Sequence, residues 1–335
     1  MATVVIPNWN GMQWLDGCLG ALARQDTTAF VTIVVDNGST DGSVAFIERQ
    51  YPAVEVIRLA SNTGFANAAN VGIARASTPY VVLLNADTVA YPDFLSSLVE
   101  RIEAAPADVA AINAQMLRLD DPDCIDDAGD ELSWYGAATK RGHNELAAAY
   151  AQEREVFSPS GGASLYRRDF LLALGGFDPL FFAYLEDVDL GLRGRLRGYR
   201  YLYLPSAKVL HKSHGAALAL ERYVALVTCN RLLLFAKNVP AKLLLRHAPK
   251  LVFGQVYFLL AYARPWASLR GYWSFVRRLP DTLRKRRATL RQARMDRVDW
   301  DAWLGHDRPT PSLVAITKAR LSRLMDRHFR PGVPA

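Results

Sequence analysis

Residues 4–11 read VVIPNWNG, an apolar run that ends in a polar loop. Three further stretches place Asn, Asp, Ser or Gly after an apolar run: residues 34–43 (VVDNGSTDGS), 62–66 (NTGFA) and 83–88 (LLNADT). Segments with helical spacing separate them: residues 12–24, 43–50 and 65–76. Strands that alternate with helices of this length predict an α/β fold, a mostly parallel sheet with helices on both faces.

Polar side chains follow each of the first four predicted strands. In open parallel sheets ligands bind at the carboxyl edge, where the strands end. One such loop would mean little, because Asn, Asp, Ser and Gly also form plain turns. Four in succession favour a binding site, and its candidate residues are Asn8, Asn10, Asp36, Asn37, Ser39, Asn62, Gly64, Asn85 and Asp87.

The kind of ligand can be narrowed from motifs that the sequence lacks. GxGxxG is missing from the first turn, and GxxxxGK[ST] is missing altogether. A glycine-rich phosphate cradle is therefore not expected. A diphosphate would still need its charge neutralised, and Asp87 at a strand end offers a hard oxygen ligand suited to Mg²⁺ or Mn²⁺.

The second half of the chain carries three more motifs: residues 175–178 (GGFD), 184–193 (YLEDVDLGLR) and 199–211 (YRYLYLPSAKVLH). Together with the first four stretches, and in this order, they resemble family 2 glycosyltransferases of the GT-A fold. The resemblance covers about residues 3–240. Within the family, the chain looks most like the rhamnosyltransferase-like branch that builds bacterial surface polysaccharides.

The resemblance implies roles for the residues of the nucleotide-binding half. Asp36 matches the family aspartate that hydrogen-bonds the nucleotide base, with Asn37 and Ser39 in the same loop. Two further groups match nucleotide-binding segments of the family: Pro7, Asn8 and Asn10 around base and ribose, then Asn62, Gly64 and Asn67.

The resemblance also implies a metal site for Mg²⁺ or Mn²⁺. Asn85-Ala86-Asp87 stands where the family has its Asp-x-Asp motif, so Asp87 becomes the main metal ligand. His211 matches a histidine that completes the metal site in several relatives. His214 is a competing candidate, and a satisfied histidine at a strand end is the plainer alternative for His211.

Glu186 and Asp187 match the acidic pair of the family. The acceptor hydroxyl must lose a proton as it attacks the anomeric carbon, and the family pattern favours Asp187 as the base that takes it. The alternative is structural: Asp187 caps a helix and Asp189 pairs with Arg193 one turn later. The resemblance further places Ser160, Gly161 and Gly162 at the sugar and acceptor pocket.

Charge divides the chain unevenly. Residues 1–236 carry a net charge of −8, whereas residues 237–298 carry +13. We therefore predict a GT-A domain over 1–236, with a nucleotide-sugar half up to about 117 and an acceptor half after it. Residues 237–335 are predicted to form a basic, amphipathic helical appendage.

The appendage contains an apolar run over residues 251–263, which is too short to cross a membrane unaided. Tryptophan, tyrosine and arginine are interleaved after it, as in helices that lie among lipid headgroups. We predict binding to an anionic membrane surface. A buried helix and a solvated basic helix are the alternatives, and nothing in the segment resembles a nucleic-acid-binding module.

The cellular setting is inferred from cysteines and from the amino-terminal residues. Cys18, Cys124 and Cys229 show neither CxxC pairing nor zinc-site spacing, which fits a reducing compartment. Residues 1–11 show no signal-peptide pattern. We expect a cytoplasmic protein that is peripheral on the inner face of the membrane.

The predicted activity is inverting, metal-dependent transfer of a sugar from a nucleoside-diphosphate donor to an acceptor hydroxyl. The branch suggests rhamnose from dTDP-rhamnose and a glycan or polyprenyl-linked acceptor. UDP- and GDP-sugars remain alternatives, as does an inactive sugar-nucleotide binding module. A processive synthase is disfavoured because QxxRW is missing, and a nucleotidyltransferase because its Gly-rich, Arg-bearing amino-terminal loop is missing.

Overall fold

The computed structural model describes residues 1–212, 218–295 and 298–305. The first half contains, in chain order, β1 (Ala2–Asn8), α1 (Met12–Ala23), β2 (Phe30–Asp36), α2 (Ser43–Gln50), β3 (Glu55–Arg58), α3 (Phe65–Arg75), β4 (Tyr80–Leu84), β5 (Thr88–Ala90), α4 (Phe94–Glu103) and β6 (Val109–Arg118). These elements follow the strand and helix alternation that the apolar runs predict.

The second half mixes short strands with longer helices. Its elements are β7 (Ile125–Asp127), β8 (Asp130–Leu132), β9 (Ala138–Lys140), β10 (Arg154–Val156), β11 (Ala163–Arg167), α5 (Arg168–Leu174), α6 (Glu186–Leu196), β12 (Arg200–His211), α7 (Leu220–Asn238), α8 (Ala241–Arg246), α9 (Ala248–Tyr262), α10 (Pro265–Arg291) and α11 (Trp300–Leu304). Single turns of 3₁₀ helix cover Ala147–Tyr150 and Pro179–Phe181.

The central sheet has the strand order β10-β12-β6-β11-β4-β1-β2-β3. Strands β4, β1, β2 and β3 are parallel, and β6 pairs in parallel with β12. Strand β11 is antiparallel between β4 and β6. Successive side chains of a strand point to opposite faces, and the central strands are accordingly buried on both, as in β1, where Val4 and Ile6 join one hydrophobic cluster and Val5 another.

Residues 122–156 contain four short strands. Strand β7 pairs with β6, β8 pairs with β9, and β10 pairs with the edge of β12. Each is three residues long. Three residues are too few to show an alternating apolar pattern, so these strands depend on partners that are distant in sequence.

Strand β12 is the longest strand of the described residues and continues past Pro205 to His211. Its pairing with β6 shifts between Leu204 and Lys208, since Leu204 pairs with Ala114 and Lys208 with Gln115. Pro205 lies within this bulge, where its missing N–H does no harm. The extension pairs with β5 and places His211 opposite Thr88.

The carboxyl-terminal helices pack on the body of the protein rather than standing apart. Helix α10 lies along α7, and the predicted domain boundary at 236/237 falls inside α7. Gly254 of α9 lies so close to the backbone of Tyr135 that a Cβ would stand 1.8 Å from its carbonyl oxygen. None of the described helices is both long and apolar enough to cross a membrane. The division into two domains stays a prediction.

Candidate active site

The loops after β1, β2, β3 and β4 meet around a cavity of about 500 Å³. Loops before α6 and the start of α7 close its other side. The predicted site residues that line it are Pro7, Asn8, Asn37, Asn62, Gly64, Asn85, Asp87, Ser160, Gly161, Gly162, Glu186, Asp187 and His211. Asn10, Asp36, Ser39 and Asn67 lie outside the cavity wall and support the loops that form it.

Asp36 is buried and holds the first two loops together. Its carboxylate accepts hydrogen bonds from Asn8 Nδ2 at 3.1 Å and from the Ser39 backbone N–H at 3.1 Å. The Ser39 hydroxyl in turn accepts a bond from the Asn10 N–H, and Asn10 Oδ1 accepts one from Thr40. Asn10 takes the left-handed conformation, with φ of 51°, which asparagine tolerates well.

The loops after β2 and β3 are joined by Asn37. Its side-chain amide donates to Asn62 Oδ1 and to the Gly64 carbonyl, and its Oδ1 accepts from Thr63. Asn67 donates to the Thr63 hydroxyl from the first turn of α3. Gly64 has a φ of 89°, and a Cβ there would lie 2.4 Å from the carbonyl oxygen of Phe182. The loop after β3 is therefore in contact with the loop that precedes α6.

Asp87 and His211 lie side by side in the cavity wall. His211 Nε2 is 3.2 Å from Asp87 Oδ1 and 3.5 Å from Asn85 Nδ2. Burial alone would lower the pKa of His211, but hydrogen bonds to Asp126 and Asp87 outweigh it and raise that pKa to about 9. His214 lies outside the described residues.

A carboxylate and an imidazole together fit a divalent cation such as Mg²⁺ or Mn²⁺. Within the described residues, no group of three or more His, Cys, Asp and Glu side chains is arranged around one point. A cation here would take two protein ligands and leave its other positions to phosphate oxygens and water, as Mg²⁺ usually does.

Asp126 stands behind His211 and was not among the predicted site residues. Its Oδ2 accepts hydrogen bonds from His211 Nδ1 and from Lys140 Nζ, both at 2.7 Å, and its side chain is fully buried. Burial would raise the pKa of Asp126, but His211 and Lys140 hold it well below its usual range. The acid-rich run over residues 123–130 was the only signal in the sequence, and it gives no partner.

The three carboxylates at the start of α6 have different environments. Asp189 is buried in contact with Arg193, Lys237 and Asn238, so its role is structural, as the predicted pairing with Arg193 requires. Asp187 accepts backbone hydrogen bonds from Gly161 at 3.0 Å and from Val188 at 2.8 Å. The N-cap position of α6 is Leu185, so Asp187 is not the capping residue of this helix. Burial outweighs these bonds and raises the pKa of Asp187.

Glu186 lies beside Asp187 and is also buried. Its Oε2 has no hydrogen-bond partner. Burial, together with the neighbouring Asp187 charge, raises the pKa of Glu186 well above its ordinary value. Two adjacent carboxyl groups with raised pKa values in one cavity are typical of a catalytic site.

The loop before this acidic pair holds an unusual backbone conformation. Phe182, Tyr184 and Leu185 all have positive φ, at 63°, 71° and 67°. Such residues cost about 1–3 kcal/mol each and persist where the surroundings hold them. Asn230 of α7 provides that support, because its amide group bonds the carbonyls of Phe181, Ala183 and Tyr184. Sequence analysis did not find Asn230, since its partners lie far away in the chain.

The Ser160-Gly161-Gly162 segment connects the Asn85–Asp87 loop to the start of α6. Gly161 donates to Asp187, while the Gly162 carbonyl accepts from the backbone N–H of Asn85 at 2.8 Å. Ser160 is fixed by a bond from its N–H to Asn113 Oδ1. The segment thus fixes the spacing between the two halves of the candidate site.

Comparison with known proteins identifies the class to which this chain belongs. Residues 3–175 match Glycosyl transferase family 2. The chain belongs to this family. It is 31% identical over 227 residues, 60% of its length, to "N-acetylglucosaminyl-diphospho-decaprenol L-rhamnosyltransferase" of Mycobacterium tuberculosis, of which 73% is covered.

Comparison with solved structures identifies the fold. The chain resembles the mannosyltransferase of Pyrobaculum calidifontis in complex with GDP-Man and Mn²⁺, with a TM-score of 0.52, 18% identity and coverage of 97% of this chain and 87% of the other. It also resembles GalNAc-T7 with UDP, GalNAc and Mn²⁺, with a TM-score of 0.54, 15% identity and coverage of 74% and 54%. The predicted GT-A fold and the predicted family are confirmed, and the protein is a glycosyltransferase.

Proposed function

We propose that the protein transfers a sugar, with inversion, from a nucleoside-diphosphate donor to an acceptor hydroxyl. One observation carries the proposal: the Asp87–His211 pair and the Asp187 carboxylate line the same cavity at the carboxyl edge of the sheet. The Asp87–His211 pair is suited to hold a cation at the departing diphosphate, and the Asp187 carboxylate is suited to accept the proton of the attacking hydroxyl.

Asp87 and His211 would hold Mg²⁺ or Mn²⁺. The ion would stabilise the negative charge that grows on the departing diphosphate. Two structural relatives contain Mn²⁺ together with a nucleotide or nucleotide sugar, which supports a divalent cation in this chain. Asn8, Asn37 and Asn62 line the neighbouring wall and would face the nucleoside.

Asp187 would act as the general base. The backbone N–H groups of Gly161 and Val188 fix its carboxylate, and burial makes it a better proton acceptor than an exposed aspartate. The acceptor oxygen forms its bond to the anomeric carbon as the bond to the diphosphate breaks, and its proton passes to Asp187. A single displacement of this kind inverts the anomeric centre. Burial raises the pKa of Glu186 well above its ordinary value, which favours the protonated form, and in that form Glu186 would donate a hydrogen bond rather than accept the proton.

Rhamnose from dTDP-rhamnose is the donor we favour. The support is the similarity to the mycobacterial rhamnosyltransferase, at 31% identity. A GDP-sugar is the second candidate, because the relative from Pyrobaculum calidifontis contains GDP-Man. UDP-sugars stand third. The acceptor would be a glycan or a polyprenyl-linked sugar.

The outer face of α8, α9 and α10 supports a membrane-bound acceptor. Only Gly254 and Tyr257 of α9 are buried, so α9 is not the buried helix that was one alternative. Exposed apolar side chains recur at helical spacing on α9 and on α10, and together with Leu245 of α8 they are called here the apolar face: Val252, Phe253, Val256, Leu259, Leu260, Trp266, Leu269, Trp273, Val276 and Leu283. Such a face with tryptophans favours the headgroup layer of a bilayer.

Some of the basic side chains of residues 237–298 form ion pairs and hydrogen bonds within the protein. Lys237 and Lys285 contact Asp178, and Arg286 donates to the carbonyls of Ala236 and Val239. Other basic side chains on or next to these helices are exposed: Lys242, Arg246, Lys250, Arg264, Arg270, Arg277, Arg284, Arg287 and Arg291. Two of them also form surface ion pairs, Arg264 with Glu221 and Arg284 with Asp281. The exposed basic side chains would attract anionic lipid, so the enzyme would work at the inner surface of the cytoplasmic membrane.

Incubation with UDP-, GDP- and dTDP-sugars and Mn²⁺ tests the proposal. At least one donor should release its nucleoside diphosphate, excess EDTA should stop the release, and proton NMR of fresh product should show the inverted anomer. Full activity in EDTA would contradict the metal site, and a retained anomer would contradict the single displacement. Donor binding without any turnover would identify the inactive binding module instead.

A further inference from the structure

Arg231 of α7 is a buried cation in the cavity wall that none of the steps above uses. Its side chain is 4% exposed. Its Nε donates to the carbonyl oxygen of Gly136 at 2.9 Å, and its guanidinium carbon lies 3.5 Å from the ring centre of Phe258. Its Nη1 has no hydrogen-bond partner.

Arg231 has no carboxylate partner in the described part of the chain. Its guanidinium lies over the ring of Phe258 and interacts electrostatically with the hydroxyls of Tyr223, Tyr262 and Tyr272. A buried charge without an opposite charge is unfavourable, and such charges in proteins are normally paired. Because Arg231 lines the cavity, a ligand that enters the cavity can supply the missing anion. Burial also lowers the pKa of Arg231, as expected for a cation without a counter-ion.

The wall around Arg231 differs from the nucleotide side of the cavity. It is formed by aromatic side chains of α7, α9 and the loop before α6, among them Tyr184, Tyr223, Phe258 and Tyr262. Tyr184 packs edge-on against Tyr223, and Tyr223 against Tyr262. This wall starts next to Glu186 and Asp187 and ends on α9, whose outer side carries part of the apolar face.

We propose that Arg231 binds a phosphate of the acceptor, and that the acceptor is a sugar linked through phosphate to a lipid chain. The proposal rests on the function proposed above and names the acceptor class of that site. The sugar hydroxyl would lie at Asp187, the phosphate at Arg231, and the lipid chain along the aromatic wall towards the apolar face. The guanidinium fork suits phosphate oxygens better than an ammonium does.

Binding of farnesyl diphosphate, inorganic pyrophosphate and farnesol to the full chain tests the proposal. Farnesyl diphosphate should bind the wild type more tightly than either fragment does. Arg231→Gln should weaken it about 10- to 100-fold, the loss expected for a charged hydrogen bond, and leave farnesol unchanged. Tight pyrophosphate binding equal to that of farnesyl diphosphate would assign a free phosphate site and overturn the lipid-linked acceptor.

Nucleoside diphosphate with Mn²⁺ is the control ligand. Its affinity should be the same in wild type and Arg231→Gln. An equal loss would assign Arg231 to the donor, and no loss for any ligand would leave it as a structural residue; both overturn the proposal. Arg231→Lys keeps the charge if the glutamine variant does not fold, and unchanged farnesyl diphosphate affinity in that variant would also overturn it. Failure of the nucleoside diphosphate to bind the wild type would instead count against the proposed function.

Discussion

His211 Nε2 lies 3.2 Å from Asp87 Oδ1, although the two residues are far apart in sequence. The contact depends on the pairing of β12 with β5, which sets His211 opposite Thr88. The other ring nitrogen of His211 bonds Asp126 at 2.7 Å. A carboxylate behind a histidine fixes its tautomer and ring orientation, and this is the usual arrangement of metal-bound histidines.

Replacement of Asp126 by asparagine should therefore weaken metal binding without removing a ligand. We expect Mn²⁺ affinity to fall about 10- to 100-fold, the usual effect of losing such a partner. Calorimetric titration with Mn²⁺ measures it directly. Asp93→Asn is the matched control, because Asp93 is exposed and its side chain makes no capping bond. Unchanged Mn²⁺ affinity in Asp126→Asn would show that Asp126 does not position His211.

The environment of Asp187 predicts how the rate depends on pH. A general base must be deprotonated, and burial raises the pKa of Asp187 above its ordinary value of 3.8. Hence kcat/KM should fall as the pH is lowered, with a midpoint above pH 3.8. Because Glu186 is adjacent, the midpoint belongs to the pair rather than to one residue. A pH series at saturating Mn²⁺ measures it, and a midpoint at or below the ordinary aspartate value would contradict a buried base.

The loops after β1, β2 and β3 that line the cavity could be predicted from sequence, because the pattern that marks them is local. Each strand of the first half is a short apolar run, and the turn residues directly after it mark where the chain reverses. Asn8, Asn37 and Asn62 were found this way, and all three line the cavity. The parallel arrangement of the strands then brings their loops to one edge.

The other side of the site depends on contacts that no local pattern encodes. Asp126 lies on a three-residue strand, and its role comes from β12. In the sequence, Asn230 and Arg231 cannot be distinguished from ordinary polar residues of a helix. Their contacts form only because α7 packs on the loop before α6. Tyrosine normally avoids positive φ, so the conformation of Tyr184 could not be predicted from its residue type.

The apolar face should bind anionic vesicles. Trp266 and Trp273 are 76% and 63% exposed, so replacing both by alanine should release most of the protein from vesicles that contain anionic lipid. Sedimentation across a salt series measures it, and binding should weaken as salt rises. Leu172→Ala on α5 is the control, since Leu172 is also exposed but lies off this face. Equal binding to neutral vesicles, or none to either kind, would reject the membrane surface as a partner.

The ion pairs of Asp178 should make the free energy of unfolding depend on pH in the acid range. Burial would raise the pKa of Asp178, but Lys237 and Lys285 hold it well below its usual value of 3.8. A lowered pKa in the folded state contributes stability above pH 3.8, and that contribution is lost as the pH falls below it.

Asp178→Asn should accordingly lower the free energy of unfolding by about 3–5 kcal/mol at neutral pH, since it leaves Lys237 less well compensated. The difference from wild type should shrink below pH 3.8. Urea unfolding at several pH values measures both. Lys285→Ala is the control with a smaller effect, because the side chain of Lys285 is 42% exposed, whereas that of Lys237 is 2% exposed. A difference that does not change with pH would contradict the ion pair as its cause.

Asp187→Asn tests the central claim most directly, because it removes the base and keeps the size of the side chain. Transfer should be measured in a single turnover with the donor that the wild type uses, alongside Mn²⁺-dependent binding of the same donor. We predict a loss of about 10²- to 10⁴-fold in the rate of transfer, with donor affinity unchanged. A variant that keeps more than about a tenth of the wild-type rate would contradict Asp187 as the general base.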